Sequence, residues 1–219
     1  MVNVNNMYFF SDPHLGHNPK SKDGSDRSII TFERTEFYNI EHHDNCIIKR
    51  LRDWAVSRTE QSQLWILGDC GNRFDIYKWI IEQGHVVSLI KGNHDNLKID
   101  YSDYFSEVYK YPIFLNNRVI LSHEPVYPAP SGMLNIHGHL HGAILDSQQH
   151  LSVSAKQINY APIGWHQIAK KLSIIPKNDY TFLYEPWAEK YKFTKPHDTA
   201  VWDSNWCIDL AASREMKKK

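Results

Sequence analysis

Five short segments in this chain carry side chains that bind divalent metal ions, and each segment follows a predicted strand. As possible ligands they offer carboxylates, an amide and several imidazoles. Such side chains at successive strand ends are suited to a pair of divalent ions, and they predict a two-metal hydrolase acting on phosphate esters. The segments, in chain order, are Asp12-Pro13-His14, Gly68-Asp69, Gly92-Asn93-His94-Asp95, Ser122-His123 and Gly138-His139-Leu140-His141.

The spacing within these segments favours coordination. In Asp12-x-His14, extended backbone would direct both side chains to the same side of a chain leaving a strand, where they could reach one ion. The imidazoles of His139-x-His141 have the same spacing. Asp69 follows a strand and a glycine, where a carboxylate can bridge two ions, and Asn93 offers an amide oxygen that adds no charge.

The net charge of such a centre predicts its substrate and its metals. Two divalent ions bring four positive charges, and the carboxylates of Asp12 and Asp69 remove two of them. Asn93 and neutral histidines remove none, so the centre stays cationic and favours an anionic substrate such as a phosphate ester. Mixed nitrogen and oxygen ligands favour Mn²⁺, with iron, Zn²⁺ or Ni²⁺ as alternatives, over the all-oxygen sites of Mg²⁺ and Ca²⁺.

The elements that must position these residues alternate between strands and helices in the first half of the chain. Apolar or aromatic runs predict buried strands at Tyr8–Phe10, Leu64–Leu67 and Val86–Ile90, and each leads into one of the segments. Helical spacing of apolar residues predicts one helix over about 37–57 and a second over Ile76–Gln83. The alternation predicts an α/β fold with the ligands along one edge of a sheet.

The second half predicts shorter strands. Val108–Leu115 and Arg118–Leu121 flank Asn116-Asn117, a pair that favours a hairpin turn. The other expected elements are a short strand around Ile136, another at Leu151–Val153 and a helix over Gly164–Leu172. Residues 1–172 are therefore predicted to form one domain, and 173–219, aromatic and punctuated by prolines, an extension packed on it.

Composition narrows the setting of the protein. The 219 residues carry 25 basic and 25 acidic side chains, so no global field attracts nucleic acid or an anionic membrane. Three widely spaced cysteines argue against a disulfide framework and suit a reducing compartment. The first residues do not read as a signal sequence, and no apolar run is long enough to span a membrane. We therefore expect a soluble cytoplasmic protein.

Together, these motifs resemble those of the calcineurin-like metallophosphoesterases. The resemblance rests on Asp12-x-His14, Gly68-Asp69, Gly92-Asn93-His94-Asp95, His123 and Gly138-His139-x-His141. In the residues that follow Ser11 and around Leu151–Val153, the chain also resembles small stand-alone members of the family from bacteria and phages. A member encoded by a phage would act in the cytoplasm of the host. The resemblance implies a two-sheet β-sandwich flanked by helices, four layers in the order αββα, with a dinuclear site at the carboxyl ends of strands.

The resemblance also implies a role for each motif residue. One ion would be held by Asp12, His14, Asp69 and His141, and the other by Asp69, as the bridge, with Asn93, His123 and His139. A hydroxide bridging the ions would attack phosphorus in line with the leaving oxygen. The catalytic pair would be His94 and Asp95: His94 would protonate the leaving group or stabilise the transition state, and Asp95 would orient it.

Other residues near the motifs allow more than one interpretation. Arg73, four residues after Asp69, resembles in position a phosphate-binding arginine of the protein Ser/Thr phosphatases in this superfamily, although Asn72 replaces their acidic residue. His17 is a candidate substrate contact or a hydrogen-bond donor behind the ligands. Residues expected to have structural or surface roles are His137 in its strand, His42 and His43 on a solvated helix surface, and Cys70 as an apolar filler.

The substrate class is open among several phosphate esters. A nucleotide or small phosphodiester is favoured, because the net charge is neutral and no large cap domain is evident. A phosphomonoesterase, including a protein phosphatase, is supported only by Arg73. A nuclease acting on extended nucleic acid is less favoured, because duplex binding usually draws on many Lys and Arg contacts. The alternative outside the enzymes is a nucleotide-sequestering or scaffolding protein, against which the complete ligand set argues.

Overall fold

The computed structural model describes residues 4–20, 22–25, 27–116 and 118–175 of the chain. Within these ranges the protein has a mixed α/β fold, with nine strands in two sheets and three α-helices. None of the described helices is both long enough and apolar enough to cross a membrane. Residues 176–219, which make up most of the predicted aromatic extension, lie outside the described part of the chain. The packing of the extension on the domain therefore stays a prediction.

The first sheet carries the three strands predicted in the first half of the chain. In the order β4-β3-β2-β1-β9, its first four strands are parallel and β9 is antiparallel to β1. The carboxyl ends of the parallel strands therefore lie at one edge, as predicted. The strands are β1 (Met7–Phe10), β2 (Gln63–Leu67), β3 (Val86–Ile90), β4 (Glu107–Tyr109) and β9 (Ile163–Gly164).

Two helices connect the parallel strands and cover one face of the first sheet. The α1 helix (Ile40–Val56) lies between β1 and β2 in sequence, and α2 (Asp75–Glu82) lies between β2 and β3. The Asn39 side chain caps α1 by accepting a hydrogen bond from His42 N at 2.7 Å, so the helix begins three residues later than predicted. Both helices predicted in the first half of the chain are confirmed.

The second sheet has the order β5-β6-β7-β8, with β5 antiparallel to β6 and the other pairs parallel. The predicted hairpin is confirmed as the β5–β6 pair, although its turn residue Asn117 lies outside the described residues. These strands are β5 (Ile113–Asn116), β6 (Val119–Leu121), β7 (Leu134–His137) and β8 (His150–Ser152).

The single strand predicted over Val108–Leu115 is wrong. The structure divides this segment between β4 in the first sheet and β5 in the second. Exposed residues 110–112 separate the two strands, and Pro112 has no backbone N–H to donate to a ladder. The chain therefore leaves one sheet and enters the other at this point.

The core has two layers of apolar side chains, one on each face of the first sheet. Phe10 belongs to a cluster with residues of α1 and α2. Its neighbour Phe9 belongs to a second cluster, which combines strands of both sheets and Ile168 of α3 (Trp165–Ser173). Adjacent strand residues point to opposite faces, so this alternation places the second sheet against the first.

Candidate metal centre

The five predicted segments meet where the two sheets end side by side. Backbone hydrogen bonds join them: Asp12 N donates to Gly68 O at 3.1 Å, and Gly138 N donates to His123 O at 2.9 Å. The two sheets are also linked here through a side chain, because His123 Nδ1 lies 2.9 Å from Leu67 O. This bond places the proton on Nδ1 and leaves Nε2 of His123 as an acceptor, the form in which imidazole binds a metal.

One group of ligand atoms is formed by Asp12, His14, Asp69 and His141, all within 4.8 Å of one another. His14 Nε2 lies 3.2 Å from His141 Nε2 and 3.4 Å from Asp69 Oδ2. Ligand atoms about 2.1 Å from a shared ion would be roughly 3 to 3.5 Å apart, so these residues could hold a metal ion. Burial lowers the pKa of both His14 and His141, which favours the neutral, metal-binding imidazole.

A second group forms beside the first. His123 Nε2 lies 2.8 Å from Asn93 Oδ1, and His139 Nδ1 lies 3.1 Å from the same oxygen. The two imidazole nitrogens are 3.3 Å apart. The three side chains come from three different strand ends. With Asp69 they are the residues that the resemblance implies for the second ion, and the structure brings them together.

Asp69 lies between the two groups. Its Oδ2 atom is 3.4 Å from His14 Nε2 and 3.5 Å from His123 Nε2. This oxygen is buried and has no hydrogen-bond partner among the described residues, whereas Oδ1 accepts a bond from His94 N at 2.9 Å. Burial raises the pKa of Asp69 to about 6. A buried carboxylate oxygen without a donor is costly unless a cation occupies the space it faces.

The backbone of the candidate ligands is strained. Five of them have the left-handed conformation, which costs a non-glycine residue about 1–2 kcal/mol: Asp12 (φ 54°), His14 (φ 47°), Asp69 (φ 53°), His139 (φ 69°) and His141 (φ 46°). The extended backbone predicted for Asp12-x-His14 is therefore wrong. Strain of this kind is concentrated at functional sites, where the surrounding structure enforces it.

Gly138 allows the close approach of two segments. A Cβ atom at this position would lie 1.8 Å from Ser11 Oγ and 2.6 Å from Asp12 Oδ2. Only glycine leaves room for the Asp12 carboxylate here. The His139 amide next to it donates to both oxygens of that carboxylate, at 3.1 and 3.0 Å, and thereby fixes its orientation.

The structure gives Asp95 a different role from the predicted one. Its buried carboxylate accepts hydrogen bonds from the backbone amides of Asp69 at 2.9 Å, Cys70 at 3.0 Å and Gly92 at 2.7 Å. In the described hydrogen bonds it does not contact the His94 ring that it was predicted to orient. Asp95 therefore holds the backbone of two ligand segments in place.

His94 and His17 lie at the open side of the first group. The ring centroids of His94 and His14 are 5.6 Å apart, and those of His17 and His94 are 5.8 Å apart. The His94 side chain is exposed, which leaves it accessible to a ligand. Burial lowers the pKa of the half-buried His17. The predicted substrate contact and the predicted proton donor therefore lie beside each other at the site.

Arg73 is engaged by a neighbour. Its guanidinium forms two parallel hydrogen bonds with the Asp75 carboxylate, at 3.1 and 3.3 Å, and the side chain is 44% exposed. No contact of Arg73 with a candidate metal ligand is found in the described residues. The predicted phosphate contact thus gains no support from this geometry.

Several buried polar residues behind the ligands were not predicted. Ser154 Oγ donates to Asp12 Oδ2 at 2.6 Å, and Arg34 donates to the backbone oxygens of Asp12 and Pro13. His43, expected on a solvated surface, is fully buried and lies 2.6 Å from an Arg34 nitrogen, so that expectation is wrong. By contrast, His137 is buried within β7 and hydrogen-bonded to Gly138 O at 2.8 Å, as expected of a supporting residue.

Comparison with protein families gives no match, and comparison with curated proteins gives none either. Among solved structures, the chain is similar to a protein of unknown function from Aquifex aeolicus, with 24% identity and a TM-score of 0.56, over 75% of this chain and 97% of that one. It is also similar to the nuclease MPE of Pseudomonas putida, with 21% identity and a TM-score of 0.40, over 63% of this chain and 61% of that one. With 24% identity and a TM-score of 0.56, the similarity to the Aquifex aeolicus protein indicates a shared fold and nothing about function.

Proposed function

We propose that this protein is a metal-dependent phosphoesterase, and that it hydrolyses a nucleotide or another small phosphodiester. The observation that carries the proposal is the Asp69 Oδ2 atom, buried without a hydrogen-bond donor in the described residues and about equally distant from His14 and His123. A buried carboxylate oxygen between two groups of ligand atoms is suited to bind a pair of cations. We expect Mn²⁺ to occupy the centre most readily.

Each candidate residue has a defined task in this proposal. The first ion would be held by Asp12, His14, Asp69 and His141, and the second by Asp69, Asn93, His123 and His139. Bound divalent ions would supply Lewis acidity toward the phosphoryl oxygens and lower the pKa of a water molecule. His94 is exposed beside the first group, where its imidazole can donate a proton to a leaving oxygen.

Hydrolysis of model esters tests the proposal. The metal-free protein is supplied with Mn²⁺ and assayed on bis-p-nitrophenyl phosphate, p-nitrophenyl phosphate and a panel of nucleotides, cyclic nucleotides and single-stranded nucleic acid. Metal-dependent turnover of a diester or nucleotide is the expected result. Preference for the monoester would favour a phosphomonoesterase, and preference for the nucleic acid would favour a nuclease. No turnover of any substrate would refute the enzyme and favour a sequestering or scaffolding role.

Replacing His94 tests its assigned role. His94→Ala is expected to lower kcat by about 10²- to 10⁴-fold while Mn²⁺ binding stays intact, because the ring is lost but the His94 amide still holds Asp69. His166→Ala, which removes an exposed imidazole from α3, serves as the matched control and should leave kcat unchanged. An undiminished kcat in His94→Ala would remove the residue from the mechanism.

We also propose membership of the calcineurin-like metallophosphoesterases, with the αββα layer order of that family and a cytoplasmic site of action. The support comes from the order of the five motifs along the chain. The described layers are consistent with part of this arrangement, since helices α1 and α2, the first sheet and the second sheet pack in succession.

A further inference from the structure

Arg34 is a fully buried cation immediately behind the first group of ligands. Its Nη2 donates to the backbone oxygen of Asp12, and its Nη1 lies 3.1 Å from the backbone oxygen of Pro13. These two carbonyls belong to the turn in which Asp12 and His14 have left-handed backbone. The guanidinium therefore holds the strained segment by its main chain and leaves the ligand side chains free.

His43 and Asp44, at the start of α1, hold the guanidinium in turn. His43 Nε2 lies 2.6 Å from Arg34 Nη1, and His43 Nδ1 lies 2.9 Å from Asp44 Oδ1. Arginine can only donate, so Nε2 of His43 accepts and its Nδ1–H donates to the carboxylate. Burial lowers the pKa of His43, which agrees with a neutral ring between the cation and the anion.

Asp44 also reaches the far end of the same turn. Its second oxygen, Oδ2, accepts a hydrogen bond from Gly16 N at 2.8 Å. One helix start thus fixes the ligand-bearing segment at both ends: through Arg34 at Asp12 and Pro13, and directly at Gly16. Shortening the side chain of Arg34, His43 or Asp44 would break this set of hydrogen bonds.

This arrangement is an expensive way to stabilise a fold. A buried guanidinium loses its hydration, and Arg34 Nε is buried without a hydrogen-bond partner in the described part of the chain. Burial correspondingly lowers the pKa of Arg34. Apolar residues of similar volume usually serve stability at least as well as buried ionic groups. The geometry of the held turn, rather than net stability, accounts better for a cation at this position.

We propose that Arg34, held by His43 and Asp44, is a positioning residue that fixes the ligand geometry of the first of the two metal sites and not of the second. The inference rests on the proposed metal centre. Asp12 and His14 belong only to the first group, whereas Asn93, His123 and His139 stand on segments that the Arg34 network does not contact in the described residues. Loss of the network should therefore affect the two ions unequally.

Calorimetric titration of the chelator-treated full chain with Mn²⁺ tests this inequality. Wild type should bind two ions. Arg34→Met should lower the affinity for one ion by about 10- to 100-fold, which is the usual effect of removing a group that orients ligands, and leave the affinity for the other ion unchanged. Arg34→Lys keeps the charge but not the fork of donors, so it should resemble Arg34→Met. Cobalt substitution identifies the surviving ion: its visible spectrum should match that of His141→Ala, which lacks a first-site ligand, and not that of His139→Ala.

Asp44→Asn is the conservative variant and decides the matter if Arg34→Met does not fold. It keeps the shape of the side chain and should weaken the same ion to a smaller degree. Asp53→Asn, the same change on an exposed position of α1, is the matched control and should bind both ions like wild type. Equal weakening of both ions, or unchanged binding in Asp44→Asn and Arg34→Lys, would overturn the inference.

The outcome is separable from that of the proposed function. A wild-type chain that binds two ions but hydrolyses no ester would refute the phosphoesterase and leave the inference standing. A wild-type chain that hydrolyses esters, while its Arg34 variants bind both ions with unchanged affinity, would refute the inference alone. A wild-type chain that binds no metal would refute both.

Discussion

Replacing Asp69 by asparagine is expected to stabilise the metal-free protein and to abolish its stabilisation by metal. Burial raises the pKa of Asp69 to about 6 from its ordinary value of 3.8. Because each pKa unit corresponds to about 1.4 kcal/mol, the ionised carboxylate disfavours the folded state by up to about 3 kcal/mol at neutral pH. An amide carries no such charge, so Asp69→Asn should raise the free energy of unfolding by up to that amount.

The hydrogen bonds of Asp69 permit this substitution without a new defect. An asparagine Oδ1 can still accept from His94 N, which now lies 2.9 Å from the carboxylate. Its amide nitrogen would replace the Oδ2 atom, which is buried without a partner in the described residues. From that position it can donate toward Nε2 of His14 or His123, at 3.4 and 3.5 Å. The variant therefore removes a buried charge and gives an unpaired position a partner.

The pH dependence of the effect has a definite sign. The folded pKa of Asp69 is raised, so this group contributes stability below pH 3.8, and that contribution is lost as the pH rises through about 6. The advantage of Asp69→Asn should therefore be full above about pH 6 and vanish near pH 3.8. Urea unfolding in EDTA at a series of pH values measures it, with the exposed Asp53→Asn as a control expected to shift stability by less than about 0.5 kcal/mol.

Addition of metal should make wild type more stable than Asp69→Asn. An ion present at 100 times its Kd stabilises the folded state by about 2.7 kcal/mol, and wild type should gain this for each of two ions. Asp69→Asn lacks the carboxylate that we propose to bridge the ions, and it should gain little from Mn²⁺. An Asp69→Asn variant that is less stable than wild type in EDTA at neutral pH would show that burial does not raise the pKa of Asp69. A variant that gains as much stability from Mn²⁺ as wild type would show that this carboxylate does not bind the ions.

Three further outcomes follow from the same geometry. Asp95→Asn should destabilise the protein by about 3 kcal/mol in urea unfolding, because an amide cannot accept all the bonds that the carboxylate accepts from two ligand segments. Gly138→Ala should cost about 1–3 kcal/mol in the same assay and weaken metal binding, because its Cβ would overlap Ser11 Oγ. Burial lowers the pKa of His137, so its contribution to stability is full above its ordinary pKa of 6.5 and is lost as the pH falls below it; His137→Gln should reduce the pH dependence of unfolding in that range.

The sequence is informative about the first sheet because buried parallel strands are continuous apolar runs. β2 is buried at every position, and its start was predicted within one residue. The same property misleads at Val108–Leu115, where two short strands from different sheets follow one another with similar composition. Hydrophobic periodicity reports burial, but not which sheet a strand joins.

The residues behind the ligands differ in how far the sequence could reveal them. His43 lies four positions before the buried Ile47 on α1, so helical spacing alone indicates that it lies on the core-facing side of the helix. Arg34 gives no such signal. Its acceptors are backbone carbonyls more than twenty positions earlier, and every residue has a backbone carbonyl, so no residue type in the sequence indicates this partner.

The left-handed backbone of the candidate ligands could not be predicted from the sequence either, and it explains why so many groups hold these segments. Five strained non-glycine residues together oppose folding by an amount comparable with the net stability of a domain, about 5–15 kcal/mol. Such a backbone persists only where neighbours over-determine it. Arg34 does so at the Asp12 turn, Asp95 at the Asp69 turn and Gly138 at the contact between the sheets. The groups that fix the geometry of the candidate ligands therefore also hold the strained backbone at this edge of the sheets.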